Sequence, residues 1–279
     1  WHHLKNSPNT IDESELKRIA KFFTAMPYEK LNDQDDTYDE AIQNNKAFAS
    51  WAKRSVHLHK QKGYRAITLS LKPHGLAPGD ATSDQMRIVA ELAEQYSFGE
   101  LRVSHEQNLI LADVKLQDIF KVWEKAKAHQ LATPNIGLLT DIICCPGGDF
   151  CSLANAKSIP IATSIQEAFD NLDYLHDIGE LELNISGCMN ACGHHHIGHI
   201  GVLGVDKDGS EWYQVTIGGK QGNDASLGSV IGPSFAAEEM PGVIKKLIDV
   251  YIKHRNPEER FIDTVRRLGV NPFKEHVYA

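Results

Sequence analysis

Residues 64–128 alternate between a two-residue and a helical hydrophobic period. Tyr64 to Leu71 is rich in Tyr, Ile and Thr and reads as a strand. Pro73–Asp80 holds two Gly and two Pro and breaks both periods. Thr82, with Gln85 three residues on, has the capping-box pattern of a helix start. Met86, Val89, Ala93 and Tyr96 form that helix's apolar stripe, and Gly99 ends it. Leu101–Ser104 and Asn108–Val114 read as two further strands. Leu116–Ala128 reads as a second helix with Ile119, Phe120 and Trp123 inward. The order βαββα is most of a ferredoxin-like unit.

The flanks differ in character. Residues 1–62 are polar and form an N-terminal helical linker segment. Ser14–Met26 is predicted as a helix with Leu16, Ile19, Phe22 and Phe23 on one face, residues 32–36 as an acidic solvated turn, and Phe48, Trp51 and Val56 as a short packing helix. Residues 63–132 hold the ferredoxin-like unit. From 133 to 279 the pattern is mixed α/β. Helices are expected at Ser164–Leu175, Glu238–His254 and, last, Pro257–Leu268. Strands are expected at Glu180–Ile185, Ile200–Val205 and Trp212–Ile217, the last two joined by a hairpin at Asp206–Gly209, followed by a Gly-rich loop at Gly218–Pro233. The fold class is α+β.

The 279 residues carry 29 Lys+Arg against 37 Asp+Glu, a net charge of −8, which argues against broad phosphate-backbone binding and so against nucleic acid as a partner. No run of about 18 apolar residues suggests a membrane span. The N-terminus lacks the pattern of a secretory signal, and a cytoplasmic location is expected. Trp1 in place of an initiator Met suggests a fragment of a longer chain.

The five cysteines, Cys144, Cys145, Cys151, Cys188 and Cys192, change the picture. An odd count confined to 144–192 speaks against a disulfide framework and for metal binding. Cys145-x5-Cys151 and Cys188-x3-Cys192 each lie in a Gly-containing loop. Four thiolates are the usual ligand set of a [4Fe–4S] cluster, and neighbouring Gly lets backbone N–H groups reach the sulfurs. A zinc site using Cys188, Cys192, His195 and His199, or buried structural thiols, remain open on spacing alone. Cys144 reads as a buried free thiol, with a register using it in place of Cys145 as the alternative.

The two loops resemble the cluster motifs of the sirohaem-containing sulfite and nitrite reductases. Ser104-His105-Glu106-Gln107-Asn108-Leu109 is similar to that family's Thr-x-x-Gln-Asn-Leu, with Ser104 for Thr. Ile217-Gly218-Gly219 is similar to its Leu-Gly-Gly turn, and Asn190 fits the Asn inside its second cysteine pair. The resemblance runs from about Gly63 to the C-terminus. It implies Cys145, Cys151 and Cys188 as cluster ligands and Cys192 as both ligand and bridge to a sirohaem iron. It also implies Asn190, Gln107, Asn108, Gly218 and Gly219 beside the cofactors. Asn155, Lys157 and Ser158 could contact haem carboxylates or cap a helix, and His194, His195 or His196 could hand on protons or simply pack.

The implied reaction is the six-electron reduction of sulfite to sulfide, with nitrite to ammonia, or a cluster-only electron-transfer module, as alternatives. The implied donor is ferredoxin or a flavoprotein reductase. The family's enzymes have two pseudo-symmetric halves, and this chain resembles the C-terminal, cluster-bearing one. The Lys and Arg that hold the anionic substrate lie mainly in the other half, whose Thr-x-Arg-Gln segment has Glu106 in place of Arg here. The chain alone is therefore expected to be inactive.

Overall fold

The computed structural model describes residues 1–279, which divide into units 1–31 and 32–279. The first unit has one helix, α1 (Glu13–Ala20), with the Asp12 side chain accepting from the Glu15 N–H. The helix stops well before the predicted Met26. Leu16, Phe22 and Phe23 are exposed, so no apolar contact extends it, and Pro27 turns Met26 away from helical geometry.

In the second unit, α2 (Asp36–Asn44) and α3 (Lys46–Ser55) precede β1 (Val56–Leu58) and β2 (Tyr64–Leu69). The predicted acidic turn is in part a helix start: Asp35 caps α2 by accepting from the Tyr38 N–H. Phe48 and Trp51 of α3 are fully buried, with Phe120 and Trp123 against Phe48 at ring separations of 5.1 and 5.4 Å. After β2 come α4 (Ser83–Tyr96), β3 (Leu101–Val103), β4 (Leu109–Lys115), a 3-10 turn at Leu116–Asp118 and α5 (Ile119–Ala128). The antiparallel sheet has the order β1-β2-β4-β3. The expected βαββα set is present, and β1 adds a fourth strand from the N-terminal side. The Thr82–Gln85 capping box forms on both sides. Met86 is exposed, contrary to the predicted stripe, and Gln85 is buried in its place. Its amide is satisfied by the Thr82 N–H and the His129 carbonyl, which removes the cost of burying it.

The remaining residues build a second sheet. β5 (Ile143–Cys144) is followed by α6 (Ile159–Ala168), α7 (Leu172–Ile178), β6 (Leu183–Ser186), β7 (Ile200–Lys207), β8 (Ser210–Ile217) and β9 (Ser229–Val230). Then come α8 (Met240–His254), α9 (Phe261–Leu268) and α10 (Asn271–Tyr278). The order is β5-β6-β7-β8-β9, with the first three strands parallel and the rest antiparallel. The single helix expected over Ser164–Leu175 is two helices, because Asn171 caps a new one through the Tyr174 N–H. α10 lies beyond the helix expected to be last. Asp208 and Gly209, both at positive φ (55° and 79°), make the β7–β8 hairpin turn as the sequence suggested. No helix is long and apolar enough to cross a membrane.

Candidate cofactor site

The strand order brings the cysteines together. β5 and β6 are parallel neighbours, with Cys144 in register with Ile185. The first cysteine loop leaves the carboxyl end of β5 and the second leaves the carboxyl end of β6, where ligands gather in open α/β sheets. The Cys145 N–H extends the pairing by donating to the Ile185 carbonyl (3.1 Å).

Glycines let the loops touch backbone to backbone. A Cβ on Gly187 would lie 2.6 Å from the Ala156 carbonyl oxygen and 2.8 Å from the Gly147 Cα. Gly147 itself sits at φ 59° against Ser158. The Gly187 carbonyl accepts from the N–H groups of Asn155 (2.9 Å) and Ala156 (3.0 Å). The Gly187 N–H donates to the Cys145 Sγ at 3.1 Å. That is the bond by which backbone stabilises a thiolate and tunes a cluster. The Ser158 hydroxyl lies 3.5 Å from the same sulfur.

Cys188 is buried, Cys145 and Cys151 are half-buried, and Cys192 is exposed. Cys144 is buried, its Sγ donates to the Cys145 carbonyl, and burial pushes its thiol well up, away from thiolate chemistry. No three His, Cys, Asp or Glu side chains converge as one tetrahedral ion requires. The zinc combination also ties up His199, whose Nδ1 accepts the Glu182 N–H (3.1 Å). A cubane offers a separate iron to each thiolate, so its ligands need not meet at one point.

The other predicted residues fall into three groups. Asn190, Asn155 and Lys157 are exposed beside the cysteines, and Ser158 is buried beneath Cys145. Gly218 and Gly219 press the Gly-rich loop onto the segment after Cys192: a Cβ on Gly219 would lie 2.4 Å from the Gly198 carbonyl oxygen and 2.7 Å from that of His196. The close approach of Gly219 is thus to backbone, while Gly218, at φ 87°, faces the Val265 side chain. Gln107 and Asn108 belong to the β3–β4 turn and have their amides engaged by the protein. Gln107 bonds both backbone groups of Cys144, while Asn108 accepts from the Leu71 N–H (3.2 Å) and donates to Asp141 (3.0 Å).

Of the three consecutive histidines, His194 and His196 are exposed and His195 is buried. Burial, then the neighbouring His196, lowers the His195 pKa to about 4. Burial, then Arg260, Lys220 and other charges, brings His199 to about 4 as well. Both are neutral at pH 7.

Sequence reasoning missed a buried ion pair. The Lys72 side chain is fully buried, with Nζ 2.5 Å from an Asp141 carboxylate oxygen and also donating to the Glu106 carbonyl. Asp141 further accepts from Asn108 and from the Gly137 N–H (2.9 Å). The network ties the end of β2 and the β3–β4 turn to the segment entering β5. It borders a cavity of about 390 Å³ lined by His57, Glu106, Asn108, Asp141, Glu182 and Asn184, among others. No local motif announces Lys72. Also unforeseen is an apolar rim on the cysteine loops: Phe150, Leu153 and Met189 are 79%, 71% and 82% exposed.

Comparison with known proteins agrees with this geometry. The family described as the nitrite and sulphite reductase 4Fe-4S domain matches residues 138–279, and the nitrite/sulfite reductase ferredoxin-like half domain matches residues 57–129. The assimilatory ferredoxin-dependent nitrite reductase of Haloferax mediterranei is 28% identical over 90% of this chain and 43% of its own length. The chloroplastic ferredoxin–nitrite reductase of Spinacia oleracea is 26% identical over 71% of this chain and 34% of its own. The assimilatory-type sulfite reductase of Nitratidesulfovibrio vulgaris is 22% identical over 71% of this chain and 88% of its own. This chain thus spans between about a third and about two-fifths of the nitrite reductases it matches. Among solved structures, the Mycobacterium tuberculosis NirA protein superposes with a TM-score of 0.63 at 23% identity, covering 78% of this chain and 41% of that one. A dissimilatory sulfite reductase I superposes with a TM-score of 0.63 at 12% identity, covering 100% and 89%. These two establish the fold.

A ferredoxin-like unit joined to a mixed sheet with two laced cysteine loops matches the two domains that the family descriptions name, a ferredoxin-like half domain and a 4Fe-4S domain. The chain belongs to the nitrite and sulphite reductase family, whose cofactors are a [4Fe–4S] cluster and a sirohaem.

Proposed function

We propose that this chain is the cluster-bearing half of a nitrite or sulfite reductase. In this reading residues 63–132 form the ferredoxin-like unit and residues 133–279 hold the cofactors. Cys145, Cys151 and Cys188 are cluster ligands, and Cys192 is the ligand shared with sirohaem. The observation that carries the reading is the pairing of the two cysteine loops at adjacent parallel strand ends, with the Gly187 N–H already on the Cys145 sulfur.

When bound, the two cofactors supply electron storage and an iron open to substrate. The chain's own residues do the rest. The glycine contacts fix the loops, so the sulfurs need little rearrangement to take up ligand positions. Cys192 is the exposed cysteine, turned toward whatever covers the loops. Phe150, Leu153 and Met189 offer that cover an apolar rim, and contiguous exposed apolar side chains mark surfaces that bind a partner or ligand. His194 and His196 are exposed beside Cys192.

The substrate is nitrite or sulfite. Higher identity with the nitrite reductases favours the first, and the match to most of an assimilatory-type sulfite reductase supports the second. The relatives described as ferredoxin-dependent support ferredoxin as the donor and a small anion as substrate. Glu106 stands where the family's other half carries Arg, so the anion-holding cations are placed in that half, which is the proposed partner. A reducing compartment, with the cytoplasm as the first choice, suits four free cluster thiols.

The test is turnover with reduced ferredoxin or a viologen, assaying ammonia from nitrite and sulfide from sulfite. The chain joined to or co-expressed with an N-terminal half is expected to turn over one anion, and the loaded chain alone to show under about 1% of that rate. Full turnover by this chain alone would place the anion site within it and contradict the half-site reading.

A further inference from the structure

The most unusual contact near the cysteines comes from outside their domain. The β3–β4 turn closes with the Ser104 N–H donating to the Asn108 carbonyl (2.9 Å) and the Gln107 N–H to the Ser104 carbonyl (3.2 Å). This puts Gln107 at φ 58°, a left-handed position where Gly or Asn is the usual occupant. A residue that gains nothing locally from that conformation is held there by its side chain. The Gln107 amide accepts from the Cys144 N–H at 2.7 Å and donates to the Cys144 carbonyl at 2.8 Å. Both bonds fall on one peptide residue, so the side chain pairs with it as a neighbouring strand would. Room for this is kept by Gly79, where a Cβ would lie 2.9 Å from the Gln107 Cβ. β5 is only two residues long, ends at Cys144 and lies at the sheet edge, and on the side away from β6 the Cys144 backbone pairs with this side chain.

We propose that Gln107 is a positioning residue for the iron–sulfur cluster: it fixes the Cys144 peptide and thereby the place and orientation of Cys145, the next residue. The proposal rests on the four-thiolate reading above. It assigns Gln107 a role through backbone rather than by contact with a cofactor. It also gives the ferredoxin-like unit a means to set the cluster's environment, because Cys145 is the ligand whose sulfur takes the Gly187 N–H. A shift of Cys145 lengthens that N–H···S bond, and such bonds are among the determinants of cluster potential.

The test uses cofactor-loaded protein and three readouts: the cluster's midpoint potential, its electron paramagnetic resonance signal when reduced, and the rate at which a chelator removes its iron. Gln107→Leu removes both bonds at similar volume. It is expected to release iron about tenfold faster and to shift both potential and signal. Gln107→Glu keeps the acceptor for the Cys144 N–H and loses the donor to its carbonyl. It is expected to give an intermediate release rate and, through its added negative charge, a lower potential. If Gln107→Leu fails to fold, Gln107→Glu carries the test by its iron-release rate and reduced signal, since its added charge lowers the potential in any case. Variants that melt at a lower temperature yet keep the parent's potential, signal and release rate would overturn the proposal, leaving Gln107 a domain fastener. A parent protein without labile sulfide would instead remove the four-thiolate reading itself.

Discussion

Cys192→Ser is expected to strip the protein of sirohaem and cluster together while barely changing its fold. Cys192 is the exposed cysteine of the five, so exchanging sulfur for oxygen there leaves no cavity in a packed core. Its neighbours hold the loop without its help: the Gly193 N–H donates to the Ser186 hydroxyl (3.1 Å), and the His194 N–H donates to the Ala191 carbonyl (2.8 Å). The loss falls on the metal, because a serine hydroxyl is a hard and poorly ionised ligand where a soft thiolate is needed. On the proposed assignment this sulfur would hold both cluster and haem, so its loss would release both. Cys144→Ser is the matched control. That thiol is buried, bonded to a carbonyl and unavailable as thiolate, so both cofactors stay. Visible absorption and iron content read the comparison. Full occupancy of both cofactors in Cys192→Ser would remove the bridging assignment.

Lys72→Met is expected to cost about 3–5 kcal/mol, the usual penalty for leaving one partner of a buried ion pair behind. Asp141 would keep Asn108 and the Gly137 N–H but lose its only cation, and the Glu106 carbonyl would lose its donor. For a unit of this size the melting temperature should fall by on the order of 10 °C. Lys72→Met with Asp141→Asn removes both charges and should recover much of the loss, since the amide still accepts a hydrogen bond. Thermal melts of the parent and both variants check this. A single variant as stable as the parent would show that the pair carries no weight. A double variant as unstable as the single would assign the effect to packing of the lysine stem.

What could be read from the sequence was mostly local chemistry. The Thr82–Gln85 capping box and the Asp208–Gly209 hairpin depend on residues within a few positions of one another, and each forms. The cysteine spacings and the Ser104–Leu109 segment pointed to the family that the comparisons then supplied. The failures have physical causes. The α1 face finds no partner within its unit. Asp35, read as part of a turn, and Asn171, read as mid-helix, are helix caps. The site's framework is non-local: Gln107 reaches Cys144 across 37 positions and Lys72 reaches Asp141 across 69, and neither pairing leaves a periodic trace. The glycines are intermediate. Gly187 and Gly219 drew notice as loop glycines, but only the fold shows that each makes room for another stretch of backbone.

The most direct test of the central claim is an absorption spectrum of anaerobically reconstituted protein, with iron, acid-labile sulfide and zinc counted on the same sample. The account predicts sirohaem bands and iron to sulfide near about 5:4, one cubane plus one haem iron. Zinc alone, with no visible chromophore and no labile sulfide, would contradict it.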